Sequence, residues 1–432
     1  MPPVSTEAER LLQGDRTVAV ELAKSLLKPR TDNLVARPWG GARIREFKGL
    51  GADVGRPGRP IGESFELAAD DSDDEARHHP SVIPLADGSV VTLPALLAVH
   101  AETLLGAAFV GAYGRRFPLL PKLLDVVELL SVQAHPPGNT EVYVIVAAEP
   151  GATIRLGFNA DVDAAALAER LAEGRRQQQR LLELCAGAVD AEVLQAHLKP
   201  WLALRAAPMA AIETALRPLL SAATSWPDVQ ACVAALRAAY WDTLDRLNAV
   251  AVAAGQVIYN ATPPRLATAS GRPPSAEVHA LGNPEGKAVL ALEIRRPGPT
   301  FRAWDNVRFP LRDIDIDVAL GALNLRATRQ DDFVITPVAV RPGVSRSVDC
   351  EYFRLEHLQP TALLSIEVPA TEPHTLHAVD GAVSLYATDG VVVGRLRRGE
   401  SALVPAGVGA YRVVADEEPA AVVKVELPPY AE

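Results

Sequence analysis

The sequence predicts a mainly β chain that is interrupted by an α-helical insertion. Ser131–His135 alternates as a strand with one buried face does, and Glu141–Ala147 is a second strand-like run after a Pro-Pro-Gly turn. From Val162 to Val250 the composition instead shifts to Ala, Leu, Glu, Gln and Arg, which favour helices. Repeated short strands resume over residues 314–432.

The composition excludes several classes of protein. The chain has 432 residues, 48% hydrophobic and 22% charged, which is ample material for two or three globular domains. Its net charge of −10 argues against non-specific nucleic-acid binding. Cys185, Cys232 and Cys350 are too few and too scattered for a disulfide framework or a Cys-based zinc site. With no signal-peptide pattern at its start and no run of about 18 apolar residues, we expect a cytoplasmic protein with neither nucleic-acid nor membrane partners.

Two stretches are predicted to be helical. Residues 5–28 have apolar positions spaced as in one amphipathic helix. Within the insertion, apolar side chains recur at i, i+3, i+4, i+7 and i+11, namely Val229, Cys232, Val233, Leu236 and Tyr240. Pro227 and Asp228 suit the start of that helix. We expect Cys185 and Cys232 to be buried packing residues there.

A candidate metal site lies in the strand pair that follows Leu130. Gln133, His135 and Glu141 fall within ten residues, and Ser131, Gln133 and His135 share one strand face. Two neighbouring strands would thus aim an amide oxygen, an imidazole and a carboxylate at one point. That set suits a divalent metal such as Zn²⁺, which accepts N and O ligands. The simpler alternative is that His135 only makes contacts within a loop.

Several motifs resemble class I mannose-6-phosphate isomerases, which are zinc-dependent cupin proteins. The strongest are Pro118–Asp125, with the sequence PLLPKLLD, and Leu130–Pro136, with LSVQAHP. Arg37–Gly41 (RPWGG), Ile61–Glu66 (IGESFE) and Glu141–Gly157 add further matches. Together these motifs extend the resemblance over most of the chain.

The resemblance implies two cupin-like jelly-roll β-barrels and a helical domain. It divides the chain into an N-terminal metal-binding cupin domain (1–159 and 251–313), a helical insertion domain (160–250) and a C-terminal cupin-like domain without metal (314–432). Gly399–Ala410 lines up with Pro274–His279, which puts Ala410 in the C-terminal domain at the position of His279.

The resemblance also implies the metal ligands. One Zn²⁺ per chain would be bound by Gln133, His135, Glu141 and His279. His279 lies further from the preceding strand than in the family, and an alternative alignment places 261–264 at the ligand turn. That segment contains no histidine, whereas Ala280-Leu281-Gly282 matches the residues that follow the family's ligand. We therefore predict His279 as the fourth ligand.

The family reaction is the interconversion of mannose 6-phosphate and fructose 6-phosphate through a cis-enediol. Arg302 matches the catalytic arginine of the family, and Glu293 matches a glutamate near the substrate. Ser131 matches a serine near the phosphate, and Lys122 matches a lysine beside the pocket. The partner would be a small sugar phosphate, bound by a monomer or weak oligomer.

Two departures from the family pattern leave the substrate site incomplete. Asn139 stands where the family often has a lysine, and Gly298 where it has an aspartate. Arg295 and Arg296, which cluster with Arg302, or Lys122 could compensate, since guanidinium groups pair bidentately with phosphate. An alternative function is therefore a metal-binding cupin that binds a sugar phosphate or polyol without isomerase activity, as a regulatory or accessory module. A third is an isomerase for a different aldose phosphate.

Overall fold

The computed structural model describes residues 5–55, 57–270, 273–369 and 372–428. In these ranges the chain forms four antiparallel β-sheets together with helices, as the sequence predicts. Numbered along the chain, the strands are β1 (Leu34–Gly41), β2 (Ile61–Phe65), β3 (Val82–Pro84), β4 (Val90–Thr92), β5 (Lys122–Val126), β6 (Val132–Ala134), β7 (Glu141–Ala148), β8 (Thr153–Phe158), β9 (Leu247–Ala251), β10 (Val257–Asn260), β11 (His279–Ala280), β12 (Val289–Arg295), β13 (Phe301–Trp304), β14 (Val334–Ile335), β15 (Val338–Arg341), β16 (Val344–Asp349), β17 (Arg354–Leu358), β18 (Ile366–Val368), β19 (His374–Ala387), β20 (Val392–Arg397), β21 (Ser401–Val404) and β22 (Tyr411–Glu426).

The helices lie mainly before β5 and between β8 and β9. Numbered along the chain, they are α1 (Glu7–Leu12), α2 (Arg16–Leu22), α3 (Arg43–Phe47), α4 (Asp74–His78), α5 (Leu93–Leu105), α6 (Ala107–Tyr113), α7 (Ala164–Cys185), α8 (Ala191–Ala203), α9 (Met209–Leu216), α10 (Trp226–Asp245), α11 (Pro264–Ser270) and α12 (Ile316–Ala322), with 3₁₀ turns at Arg217–Leu219, Gln330–Asp332 and Ala406–Val408. In the described part of the chain, every helix is too short or too polar to cross a lipid bilayer.

Three large sheets organise the molecule. Sheet I has the strand order β1-β2-β5-β12-β7-β10-β14, and sheet II has the order β13-β6-β11-β8-β9. Sheet III has the order β15-β16-β17-β22-β19-β20, with β18 beside β22 and β21 beside β19. β3 and β4 form a separate hairpin.

Sheet I lies between the other two large sheets. On one face, Leu124 and Ala291 of sheet I pack with Ile154 and Val250 of sheet II. On the opposite face, Leu292 packs with residues of sheet III such as Leu355 and Val423. Because burial of one such side chain stabilises the fold by about 1.5–3 kcal/mol, these two interfaces fix sheet I in place.

The inserted helices cover the outer face of sheet II. Val132 and Ala303 of sheet II pack with Leu171 of α7 and Leu236 of α10. The predicted apolar stripe of α10 is buried, as are Cys185 and Cys232. The division of the chain into three domains stays a prediction. One strand from the predicted C-terminal part, β14, pairs with β10 at the edge of sheet I.

The prediction of one helix over residues 5–28 is wrong. The structure has the two short helices α1 and α2, separated at Gly14, whose φ of 91° lies in the left-handed region that glycine tolerates. The Asp15 side chain accepts a hydrogen bond from Thr17 N and caps α2. Glycine and a good N-cap thus end one helix and start another within an apolar pattern that suggested a single helix.

Candidate metal centre and substrate cavity

Three of the four predicted metal ligands converge between sheets I and II. The ligand atoms of His135, Glu141 and His279 all lie within 4.8 Å of one another. Across residues 5–55, 57–270, 273–369 and 372–428, this is the one such group of three His, Cys, Asp or Glu side chains. His135 follows β6, Glu141 begins β7 and His279 begins β11, so residues from two facing sheets supply the cluster.

The cluster is compact and buried. His135 Nε2 lies 2.8 Å from Glu141 Oε1, and His279 Nε2 lies 3.5 Å from Glu141 Oε2. The two imidazole rings stack with their centroids 5.2 Å apart. All three side chains are at most 3% exposed. Buried ionisable groups of this kind require partners, which a metal ion supplies.

The histidine tautomers fit a metal site. His135 Nδ1 lies 3.1 Å from Pro299 O, and His279 Nδ1 lies 2.9 Å from Glu277 O. Because a carbonyl oxygen only accepts, we assign the proton of each ring to Nδ1, which leaves each Nε2 with its lone pair. His135 Nε2 is buried and makes no hydrogen bond, since its short approach to Glu141 lacks hydrogen-bond geometry. Two such nitrogens and a carboxylate oxygen are a donor set that fits Zn²⁺.

Gln133 lies beside this cluster. It is directly opposite His279 on β11 and directly opposite Arg302 on β13, so all three side chains share one face of sheet II. Gln133 Nε2 donates to Ser131 Oγ at 2.8 Å, which leaves the amide oxygen available as a ligand atom. Its role as a fourth ligand stays a prediction.

A β-bulge directs Arg302 toward this face. Arg302 is opposite Gln133, but Trp304 is opposite Val132, so β13 contains one extra residue at this point. Trp304 therefore packs among the inserted helices, where its Nε1 donates to Gln178 Oε1 at 3.2 Å. In a regular strand Arg302 and Trp304, which are two residues apart, would face the same side.

All eight predicted site residues line one cavity of about 580 Å³. They are the four candidate metal ligands Gln133, His135, Glu141 and His279, together with Lys122, Ser131, Glu293 and Arg302. The cavity lies where sheets I and II face each other, and α8 contributes Glu192 and Gln195 to its lining. Residues from motifs that are spread over most of the chain therefore line one cavity.

The long connection before His279 does not displace it. Asn260 ends β10, and Thr262 N then donates to Ser275 O at 2.7 Å, so the chain leaves the sheet and returns at nearly the same point. Ala276 N donates to Asn139 O at 2.7 Å and guides the chain back to β11. None of residues 261–264, the alternative ligand turn, lines the cavity.

Alternating charges line the sheet I side of the cavity. Lys122 Nζ lies 3.0 Å from Glu293 Oε2 and 3.4 Å from Glu63 Oε1. Glu63 is also paired with Arg37. The predicted pocket lysine is therefore neutralised by two buried carboxylates. Arg37 and Glu63 were not predicted as site residues, although both belong to motifs on which the resemblance rests.

Arg295 lies next to these paired charges, beside Glu293. Its Nη2 lies 2.9 Å from Asp73 Oδ2, and its Nε lies 3.7 Å from Glu293 Oε2. Asp73 also accepts a hydrogen bond from Gly298 N at 3.3 Å. A Cβ at Gly298 would lie 3.3 Å from Asn139 Nδ2, so the two departures from the family pattern are neighbours. Arg295 places a cation in the cavity close to them, but Asp73 compensates its charge.

The environments of Glu63 and Glu293 push their pKa values in opposite directions. Burial raises the pKa of Glu293, and the negative charge of Glu141 adds to this despite the opposing effect of Lys122. Burial also opposes ionisation of Glu63, but Lys122 and Arg37 together outweigh it and lower its pKa. Of these two carboxyl groups, Glu293 therefore holds a proton more readily than an ordinary glutamate does, whereas Glu63 holds one less readily.

The predicted arginine cluster is divided. Arg296 stacks on the Tyr352 ring, with its Cζ 5.2 Å from the ring centroid, and does not line the cavity. Arg302 lines the cavity, and its Nε is buried without a hydrogen-bond partner. Burial, followed by the charge of Arg312, lowers the pKa of Arg302. Arg308, which sequence reasoning missed, also lines the cavity with a buried, unpartnered Nε.

Comparisons with known proteins point to one group of enzymes. No family model matches the chain. A curated relative, mannose-6-phosphate isomerase of Streptococcus mutans, is 32% identical over 136 residues, which is 28% of this chain and 37% of the relative. The chain therefore spans well under half the length of the relative that it matches.

Solved structures extend the similarity over nearly the whole chain. Mannose 6-phosphate isomerase from Bacillus subtilis matches with a TM-score of 0.61 at 19% identity, covering 93% of this chain and 100% of that one. A variant of phosphomannose isomerase from Salmonella typhimurium gives 0.60 at 16% identity, and a mannose 6-phosphate isomerase bound with zinc and yttrium gives 0.59 at 15% identity. Both cover 94% of this chain and 100% of theirs. The chain has the fold of mannose-6-phosphate isomerases, in agreement with the resemblance drawn from its motifs.

Proposed function

We propose that this chain is a zinc-dependent aldose–ketose isomerase that interconverts mannose 6-phosphate and fructose 6-phosphate through a cis-enediol intermediate. The observation that carries the proposal is that the His135–Glu141–His279 cluster, Glu293 and Arg302 all line one cavity. The curated relative and the zinc-bound neighbour support the same reaction and metal.

One Zn²⁺ per chain is bound by Gln133, His135, Glu141 and His279. The two deprotonated Nε2 atoms and the nearby Glu141 carboxylate support this ligand set. When bound, the ion supplies Lewis-acid chemistry that polarises the substrate carbonyl or orients the sugar oxygens.

Glu293 moves the proton. In the aldose-to-ketose direction, its carboxylate takes a proton from C2 of the sugar, and O1 gains the proton that O2 gives up. The resulting acid returns a proton to C1, so the carboxylate is regenerated and the carbonyl group has moved from C1 to C2. Its raised pKa supports this role, as does its buried Oε2, which lies close to Lys122 but accepts no hydrogen bond. Lys122, 3.0 Å from the same oxygen, keeps the carboxylate oriented and stabilises its charged form.

Arg302 and Arg308 stabilise the negative charges of the enediolate and of the phosphate group. Arg302, which has no partner on Nε, stabilises the enediolate oxygen that gains charge during proton transfer. Arg308 and the Ser131 hydroxyl bind the phosphate. Ser131 Oγ accepts from Gln133, so its own O–H group is free to donate.

We interpret sheets I and II, apart from β9 and β14 at their edges, as the N-terminal cupin jelly roll (1–159 and 251–313) and sheet III as the C-terminal cupin-like domain (314–432). The face-to-face packing of antiparallel sheets supports the jelly-roll interpretation. The position of α7–α10 between β8 and β9 supports a separate helical insertion at 160–250. Ala410, the counterpart of His279, is exposed just before β22.

The test is a coupled isomerase assay on protein that has been stripped with chelator and then given Zn²⁺. We expect activity with mannose 6-phosphate to disappear on stripping and return with zinc. Arg302→Ala should lose turnover, whereas Arg296→Ala, a control arginine outside the cavity, should keep it. Zinc-independent turnover, or full turnover by Arg302→Ala, would contradict the proposal.

A second candidate function is a metal-binding cupin that binds a sugar phosphate or polyol without isomerising it. The neutralised Arg295 and the altered positions Asn139 and Gly298 favour this function. Stoichiometric binding of zinc and mannose 6-phosphate without turnover would support it. A panel of other aldose phosphates would then distinguish it from an isomerase with a different substrate.

A further inference from the structure

Glu141 makes two hydrogen bonds in addition to its contacts with the histidines. The Tyr143 hydroxyl donates to Glu141 Oε2, and Asn260 Nδ2 donates to the same oxygen at 3.2 Å. Glu141, Tyr143 and Asn260 are each at most 1% exposed, so water does not replace these donors. Neither Tyr143 nor Asn260 has a role in the reaction as proposed above.

The strand register places both donors on Glu141. Tyr143 is two residues along β7 and therefore projects from the same face of sheet I. Asn260 is directly opposite Glu141 across the antiparallel pair β7–β10. One donor thus comes from the strand of the carboxylate and the other from its neighbour.

Asn260 also connects Glu141 to the segment that carries His279. Asn260 Oδ1 accepts a hydrogen bond from Glu277 N at 2.8 Å, and the Glu277 carbonyl contacts His279 Nδ1 at 2.9 Å. A single amide therefore relates the carboxylate of sheet I to the imidazole of sheet II. This connection lies at the place where the long 261–275 segment leaves and rejoins the sheets.

The two donors decide which oxygen of Glu141 remains available. Oε2 accepts from both Tyr143 and Asn260, whereas Oε1 is directed toward His135 Nε2 at 2.8 Å. A carboxylate held by two hydrogen bonds cannot rotate without leaving buried donors unpaired, and each unpaired donor is costly. Orienting hydrogen bonds of this kind commonly tune metal affinity.

We infer that Tyr143 and Asn260 are positioning residues that hold the Glu141 carboxylate in the orientation required to bind a divalent metal ion. This inference rests on the metal site in the proposed function. The competing explanation is that both side chains only complete the packing and hydrogen bonding of the sheets. The two explanations differ in what they predict for metal affinity.

The test measures zinc affinity by competition with a chromophoric chelator, using full-length protein stripped of metal. We expect Tyr143→Phe, which removes only the hydroxyl, to weaken zinc binding about 10- to 100-fold. The control is Tyr411→Phe. Tyr411 is equally buried, and its hydroxyl lies 2.6 Å from His374 Nε2 in sheet III, outside the cavity. It should bind zinc as the unaltered chain does.

A second pair of variants keeps the test decisive if Tyr143→Phe does not fold. Asn260→Ala should also weaken zinc binding and should shift the visible absorption of the Co²⁺-substituted protein. Asn248→Ala is its control, because Asn248 is a buried amide on β9 whose Nδ2 lies 3.2 Å from Leu156 O, outside the cavity.

The outcomes distinguish a failure of this inference from a failure of the proposed metal site. If the unaltered chain binds zinc and a folded Tyr143→Phe or Asn260→Ala variant binds it equally well, the inference is overturned and the proposed function stands. If the unaltered chain binds no zinc, the proposed metal site fails and the inference fails with it.

Discussion

Gln133 and Arg302 lie directly opposite each other on adjacent strands of sheet II, although they are 169 positions apart in the sequence and belong to different motifs. The predicted metal-binding amide and the unpaired guanidinium therefore face the same cavity side by side. Because His279 also pairs with Gln133, sheet II holds two predicted metal ligands and the predicted catalytic arginine on one face.

Replacing Arg302 tests the stabilisation of the enediolate. We expect Arg302→Ala to lower kcat about 10²- to 10³-fold, as loss of one preorganised donor does. Zinc content should not change, because Arg302 makes no contact with the ligand atoms described above. Steady-state kinetics with a parallel metal analysis would check this, and a change confined to KM would contradict it.

Replacing His135 tests the metal cluster through stability. Zinc bound to the native state at a thousand times its Kd should stabilise the unaltered chain by about 4 kcal/mol. We expect His135→Ala to show no zinc-dependent rise in Tm, because it removes one of the two buried Nε2 atoms. Thermal unfolding with and without zinc measures this, and equal Tm shifts in both proteins would exclude His135 as a ligand.

Replacing Glu293 tests the proton transfer. We expect Glu293→Gln to lower kcat about 10²- to 10⁴-fold. A base must be deprotonated to act, so activity should fall as pH drops through the pKa of Glu293. Because burial raises that pKa, the fall should begin at higher pH than for an ordinary glutamate. The residual activity of the Gln variant should lack this acid limb in a pH–rate profile.

Replacing Arg308 tests phosphate recognition. A hydrogen bond to a charged group contributes about 1.5–3 kcal/mol, so Arg308→Ala should raise KM for mannose 6-phosphate by about 10- to 150-fold. Binding of unphosphorylated mannose should not weaken. Equal losses with both sugars would show that Arg308 acts on the fold of the cavity and not on phosphate.

Asp125 gives a prediction for stability. Burial raises its pKa from 3.8 to about 6. The native carboxyl therefore keeps its proton to higher pH than the unfolded one, and the free energy of unfolding falls as pH rises through this window, by about 3 kcal/mol in all. Asp125→Asn still offers an oxygen to Arg43 N but does not titrate. Denaturant titrations should show a shallower pH dependence, and an unchanged slope would contradict this.

Local motifs were sufficient to predict eight of the residues that line the cavity. Gln133 and His135 lie in one short strand segment, and His279 and Arg302 lie in segments with recognisable flanks. Such residues project into one space because strand alternation and pairing place them there. The same locality explains why the helical stripe of α10 was predicted correctly.

The remaining site residues depend on long-range register. Asp73 and Arg295 are 222 residues apart in the chain, and nothing near either residue indicates that they pair. Asn260 contacts Glu141 only because β10 is aligned with β7 at one particular register. The break in the predicted helix over 5–28 has a local cause, Gly14, which the apolar pattern outweighed.

The extra residue in β13 has a consequence for how this strand can vary. It places Arg302 toward the cavity and Trp304 toward the helical layer, although two residues with this spacing in a regular strand would face the same way. Deleting Ala303 would make Arg302 and Trp304 adjacent, and adjacent residues of a regular strand also face opposite sides. A relative with one residue fewer at this point could therefore keep both side chains in place, so an active relative need not preserve the spacing between the arginine and the tryptophan.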